Sequence, residues 1–252
     1  MSEPPACGVP AGASPRGVPL AGGQFDNQMR KLKLLLRIFA GTIGVIGLYI
    51  IFSIVIAEYI FPDATPDYAN YFKPGDKLYS KFEGFDQTVI SINGDWMNTR
   101  LEVAPGAAGP PEHFHADFEE RFTVTKGTLS ILVNGEKKTL KAGETLSIPP
   151  MARHKPFNET NETVVIEGDR PNILPVKFAY ILSQLYGFMD RYPEGPSTLQ
   201  MMMQLSVFGN EADSWLADGP SLNTQKAMRV IMAPTARLLG YRNYYEEYKP
   251  KH

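Results

Sequence analysis

The segment "HFHADFEE", residues 113–120, gathers two imidazoles and several carboxylates within a 252-residue chain that holds four histidines in all. Imidazole nitrogens and carboxylate oxygens are the donors that bind divalent transition metals. His113 and His115 are two positions apart, so they share a face if their segment is extended. A solvated loop is the ordinary alternative for so polar a stretch.

The residues that follow set the direction of the acids. In "ERFTVT", Phe122 and Val124 alternate with Arg121, Thr123 and Thr125. Glu120 therefore belongs to the inward face and Glu119 to the outward one. A third imidazole is needed to complete a site, and "IPPMARHKPFN" supplies His154 after a proline-marked turn. The terminal His252 has no comparable company.

These side chains need a scaffold of strands. "TVISI" (88–92), "TRLEVA" (99–104), "RFTVT" (121–125), "LSILV" (129–133), "KKTL" (137–140), "TLSI" (145–148) and "TVVIEG" (163–168) are short, β-branched and separated by turn chemistry. "NGE" at 134–136 predicts a type I′ hairpin turn, since Asn-Gly accepts positive φ. Strands at this spacing predict an antiparallel sandwich or barrel, and the lack of interleaved helical patterns excludes a parallel α/β sheet.

Two stretches carry a family pattern. "GPPEHFHADFEERFTVTKG", Gly109–Gly127, resembles the first motif of the cupins, G(X)5HXH(X)3,4E(X)6G, closely from His113 onward. The opening glycine is offset, with Gly109 three residues before His113 and Gly106 six before it. "GETLSIPPMARHKPFN", Gly143–Asn158, resembles the second motif, G(X)5PXG(X)2H(X)3N, except that Met151 stands where the family usually has glycine. The resemblance covers about residues 80–170. It implies a mainly β fold, a small jelly-roll barrel, with His113, His115, Glu120 and His154 as metal ligands in its mouth. Three imidazoles and one carboxylate suit one divalent transition metal (Fe, Mn, Ni, Cu or Zn) and leave positions for water or substrate. Asn158 begins one of two N-x-Thr sequons, but its place in the motif implies a structural role, which leaves Asn161 as the better glycan acceptor.

Outside the barrel the chain changes character twice. Residues 1–33 read as a tail facing the cytoplasm, poor in large apolar groups over its first 28 residues and containing the single Cys7. Residues 34–60 read as a transmembrane helix, because twenty consecutive uncharged residues lie between Arg37 and Glu58. A signal peptide normally has a shorter apolar region nearer the N-terminus. Arg30, Lys31, Lys33 and Arg37 precede the span, whereas Glu58, Asp63 and Asp67 follow it, so the barrel is expected on the non-cytoplasmic side. Gly41, Gly44 and Gly47 leave a homodimer through the span open. Residues 61–79 read as a linker and 171–252 as a helical region, with Pro234 expected to end or kink its last helix. Met201–Met203 fit either a helical core or a ligand lining.

Partners follow from charge and site. A net charge of -2 with no basic stripe excludes nucleic acid as an expected partner. The expected partners are the lipid bilayer and a small-molecule ligand or substrate, with Arg100, Arg153 and Lys155 as cations near the mouth. Two functions fit: a metal-dependent enzyme, dioxygenase-like by resemblance or an isomerase or lyase using a Lewis acid, and a non-catalytic metal or small-molecule binding module. An enzyme needs a further acid, base or donor facing the metal pocket. No such residue is readable from the sequence.

Overall fold

A computed structural model describes residues 22–62, 64, 66–167 and 174–250. Cys7, most of the expected tail and His252 lie outside the described residues. The chain divides into two compact units, up to Tyr49 and from Ile50 onward.

Helix α1 runs from Gly22 to Ile51, so residues 22–33 are helical and not part of a tail. No proline occurs between Pro19 and Pro62, and "MRKLKLLLR" is composed of strong helix formers, which lets the helix extend toward the N-terminus. A π-helical turn, Phe52–Ile56, and a short α2, Ala57–Ile60, continue it. The helical stretch Asp26–Ile60 is long and apolar enough to cross a membrane, and only 6% of its most apolar window is buried. That exposure distinguishes it from the core helix of a soluble domain.

The expected linker is part of the packed domain. Within it, α3, Tyr68–Tyr71, is followed by strand β1, Lys77–Ser80, and Tyr71, Phe72 and Leu78 are all buried. The aromatic residues explain this, because each side chain removed from water contributes about 1.5–3 kcal/mol.

The remaining strands are β2 (Phe85–Asn93), β3 (Trp96–Val103), β4 (His113–Phe114), β5 (Glu120–Lys126), β6 (Thr128–Val133) and β7 (Glu136–Lys141). They continue with β8 (Thr145–Ile148), β9 (His154–Phe157), β10 (Val164–Glu167), β11 (Leu174–Pro175) and, late in the chain, β12 (Trp215–Leu216). One sheet has the order β1-β2-β3-β10-β5-β8, with β11 beside β3, and the other β12-β4-β9-β6-β7. Every pairing is antiparallel. All seven predicted strands are present. Asn134 and Gly135 have φ of 50° and 83°, as the predicted type I′ turn requires.

The inner faces of the sheets supply Val103, Val124, Leu129, Ile131 and Val164, each at 0% exposure. Helix α4, Val176–Asp190, joins that core through Phe178, Ala179, Ile181 and Tyr186. α5 (Thr198–Val207) and α6 (Leu222–Leu238) complete the fold. Pro234 lies inside α6 and does not end it. With 40% helix the fold is a cupin-like β-sandwich within a mixed α/β chain, which corrects the mainly β expectation. The cause is the C-terminal region, whose α4 is a structural part of the sandwich core.

Candidate metal centre

The four expected ligands converge. His113 on β4 lies directly opposite His154 on β9 in the five-stranded sheet, an arrangement that brings side chains within about 5 Å. Glu120 starts β5 in the other sheet, and His115 follows β4. One potential ligand atom from each lies within 4.8 Å of every other. Glu120 is therefore inward as its alternation predicts, whereas Glu119 is exposed.

Each imidazole is oriented by a backbone carbonyl. His113 Nδ1 is 2.9 Å from Pro111 O, His154 Nδ1 is 2.9 Å from Ala152 O, and His115 Nδ1 makes a short contact with Asp213 O. A carbonyl can only accept, so it selects a protonated Nδ1 and turns Nε2 toward the centre. Phe118 stacks on His115 at 4.2 Å between ring centroids and Phe178 meets it edge-on at 5.1 Å, which fixes the ring plane.

The electrostatics match a cation site. Glu120 Oε2 is 2.7 Å from His154 Nε2 and 3.5 Å from His115 Nε2. Burial would raise the Glu120 carboxyl pKa, but His115 and His154 hold it below the usual carboxylate range. Burial would lower the His154 pKa, but contact with Glu120 leaves it raised. His113 is pushed down to about 3, first by burial and then by the other two imidazoles, so it is neutral. His115 Nε2, His154 Nε2 and Glu120 Oε2 are buried and face only one another, with no further hydrogen-bond partner among the described residues. Buried acceptors turned toward one another are costly, and a bound cation would satisfy all three together. The donor set and its converging buried atoms thus fit a divalent transition metal.

The flanking turns explain both irregularities of the family pattern. Gly109 has φ of +65°, and a Cβ there would stand 1.9 Å from Pro156 O, whereas a Cβ at Gly106 would meet nothing within 4 Å. Gly109 is the position with no room for a side chain. Met151 has φ of +67°, and its N–H donates to His115 O at 2.7 Å. A glycine preference at this position follows from that left-handed backbone.

Residues 99–166 match the profile of the cupin domain (Cupin_2). The chain carries a cupin domain. Among solved structures, a cupin-2 domain containing protein from Shewanella frigidimarina is 32% identical, with 33% of this chain and 79% of that one covered and a TM-score of 0.28. KdgF from Halomonas sp. is 23% identical, covering 33% and 76%, with a TM-score of 0.31. A sugar phosphate isomerase of the cupin superfamily from Silicibacter pomeroyi is 17% identical, covering 41% and 72%, with a TM-score of 0.30. No curated protein matches the chain.

Residues outside the matched cupin domain complete the site. Strand β12 pairs with β4, placing Leu216 opposite His113. The Asp213 carboxylate accepts from Ala116 N at 2.8 Å, Asp117 N at 2.7 Å and Trp215 Nε1 at 2.7 Å. Arg229 of α6, 7% exposed, donates to Gly209 O, Ala212 O and Ser214 O and lies 3.8 Å from the Trp215 ring centroid. This loop carries the carbonyl that orients His115. Sequence reasoning missed Asp213 and Arg229, whose partners are distant along the chain.

The centre opens on a cavity of about 140 Å³. Its walls are mostly apolar, from Phe122, Phe178, Leu185, Met201 and Leu205 among others, while Glu83, Gln87 and Tyr186 add polar groups. Met201 therefore lines the cavity, as one of its two expected roles. The expected cations do not line it: Arg100 pairs with Glu102 and Glu167, and Arg153 with Glu112 and Asp218. Asn158 is 1% exposed, with Nδ2 donating to Val103 O, Ala104 O and Glu162 O, so its role is structural.

Proposed function

We propose that this protein is a membrane-anchored, metal-dependent cupin enzyme that acts on a small, largely apolar molecule. The observation that carries the reading is the cavity, which joins His113, His115 and Glu120 to additional polar groups, Glu83 and Tyr186. A carboxyl and a phenol facing a metal pocket are more than a storage site needs. A divalent metal held by His113, His115, Glu120 and His154 would act as a Lewis acid or support oxygen chemistry, with the dioxygenase-like class favoured by family resemblance. The chain's own residues aim the three imidazoles by carbonyls and exclude water with Phe118, Phe122 and Phe178.

The apolar lining, without a lysine or arginine among the described residues, favours uncharged substrates over phosphorylated or strongly anionic ones. The exposed apolar helix supports a single membrane pass. The basic residues before it and acidic residues after it support an orientation with the N-terminus in the cytoplasm and the cupin domain on the other side. A binding or sensing module remains the second reading, supported by the same apolar walls.

The test is elemental analysis of the full chain in detergent, purified without a metal affinity tag, beside His113→Ala/His154→Ala. About one equivalent of transition metal in the wild type, lost in the variant, is expected. A folded wild type that takes up no metal after reconstitution overturns the reading. Metal-dependent turnover of a small oxygenated substrate separates the enzyme from the binding module.

A further inference from the structure

Glu83 is an unusual residue for a turn. Turn carboxylates normally face water, yet Glu83 is 6% exposed and lines the cavity. Its backbone makes the inward position unavoidable. Glu83 N donates to Ser80 Oγ at 3.1 Å, and Gly84 N donates to Ser80 O at 3.0 Å. The two preceding amides, Lys81 N and Phe82 N, donate to the two oxygens of Asp190 at 2.9 and 3.0 Å, tying the turn to the end of α4. Gly84 has φ of +73°, and a Cβ there would lie 2.7 Å from Ala107 Cβ. The turn is thus pinned on both sides of Glu83.

The carboxyl that this turn buries has no hydrogen bond from any of the described residues. Burying a polar group without a partner costs free energy unless a ligand or water provides one. Tyr186 of α4 lines the same cavity and is close enough to both Glu83 and Glu120 for each to raise its pKa, after burial as the main cause. Glu83 itself responds to burial and then to Asp190, which together raise it to about 8. It is therefore a neutral carboxylic acid at neutral pH, able both to donate and to accept.

We infer that Glu83 is a second polar anchor of the cavity, hydrogen-bonding an uncharged hydroxyl or carbonyl group of a compact apolar ligand whose other oxygen faces the histidine cluster. This assignment rests on the metal reading above and adds the ligand's chemical class. A cavity near 140 Å³ resembles engineered cavities of roughly 150 Å³ that admit benzene. The ligand is then about the size of one ring or a short chain, with a neutral polar group at each of two positions.

The test uses the full chain in detergent, loaded with Co(II), with phenol, resorcinol and hydroquinone as probes under anaerobic conditions. Visible cobalt bands report occupancy beside the metal, and phenol provides the one-anchor reference. At least one diol should bind about two- to ten-fold tighter than phenol, the range for one net hydrogen bond. That gain should disappear in Glu83→Leu and persist in Glu83→Gln, which keeps a donor and an acceptor. Cobalt binding with equal phenol and diol affinities, with no response to any probe, or with a diol preference unchanged in Glu83→Leu overturns the Glu83 assignment alone. Failure of cobalt to bind the wild type overturns the metal reading and this inference together.

Discussion

Asp213→Asn is the most informative change outside the histidine cluster, because the side chain keeps its size and loses one acceptor and its charge. In the wild type Oδ1 accepts from Ala116 N and Trp215 Nε1, and Oδ2 from Asp117 N. An asparagine oriented to keep the first two bonds turns its NH2 toward Asp117 N, donor against donor. Converting two charge-assisted bonds to neutral ones costs about 1 kcal/mol each, and the orphaned amide about 1–3 kcal/mol. The expected loss is therefore about 3–5 kcal/mol, measured as a shift in urea unfolding at constant detergent. The same loop carries the carbonyl facing His115 Nδ1. Loosening it should weaken metal binding about 10- to 100-fold, the usual effect of losing an outer partner of a ligand. Competition against a chromophoric chelator measures that change. A variant within about 0.5 kcal/mol of the wild type and with unchanged metal affinity would refute the idea that the C-terminal region holds the site, since surface changes have effects of that size.

Three further outcomes follow from the same geometry. Glu83 titrates near 8 when folded against 4.5 for the free group, so the unfolded chain loses its proton first as pH rises. Its contribution to stability is complete below pH 4.5 and is lost progressively up to about pH 8, at up to roughly 1.4 kcal/mol per pH unit. The difference between wild type and Glu83→Gln in unfolding free energy should show that slope, and parallel curves would contradict it. Met151→Gly relieves a left-handed backbone at a side chain that is 53% exposed. It should raise stability by about 0.5–1 kcal/mol after the entropy gained by the unfolded chain is included, and a lower melting temperature would count against it. Because Glu120 favours a proton on His154, metal uptake should release about one proton per ion near pH 6.5. Calorimetry in two buffers of different ionisation enthalpy counts it, and zero release would exclude the proton-sharing pair.

The part of the site legible in the sequence was the part written in local periodicity. Alternation placed Glu120 inward, Asn134–Gly135 marked a hairpin, and the spacing of His113 and His115 held although β4 is only two residues long. The parts that were not legible depend on contacts between distant segments. Asp213 lies 98 positions from His115, in a stretch whose two-residue strand Trp215–Leu216 has no detectable period of its own. The segment 61–79 reads as a linker in the sequence, yet Tyr71 hydrogen-bonds Ser183 and Gln184 of α4. Those bonds depend on where α4 docks, which is a property of the tertiary fold.

The same contacts argue that the functional unit is larger than the cupin domain recognised over residues 99–166. That segment contains His113, His115, Glu120 and His154, together with the two opposed sheets that bring them close. It lacks Asp213, which orients His115, and Arg229, which holds the Asp213 loop. It also lacks Glu83 and Tyr186, the polar groups that distinguish this cavity from an apolar pocket beside the donor cluster. The cluster of donors thus lies within the barrel, as do the carbonyls facing His113 and His154, whereas the carbonyl facing His115 and part of the cavity wall come from the segments before and after it. A barrel fragment could retain four donors and still lose the carbonyl that sets the His115 tautomer. The geometry of this centre therefore depends on the chain from the turn at Glu83 to the helix bearing Arg229 folding as one unit.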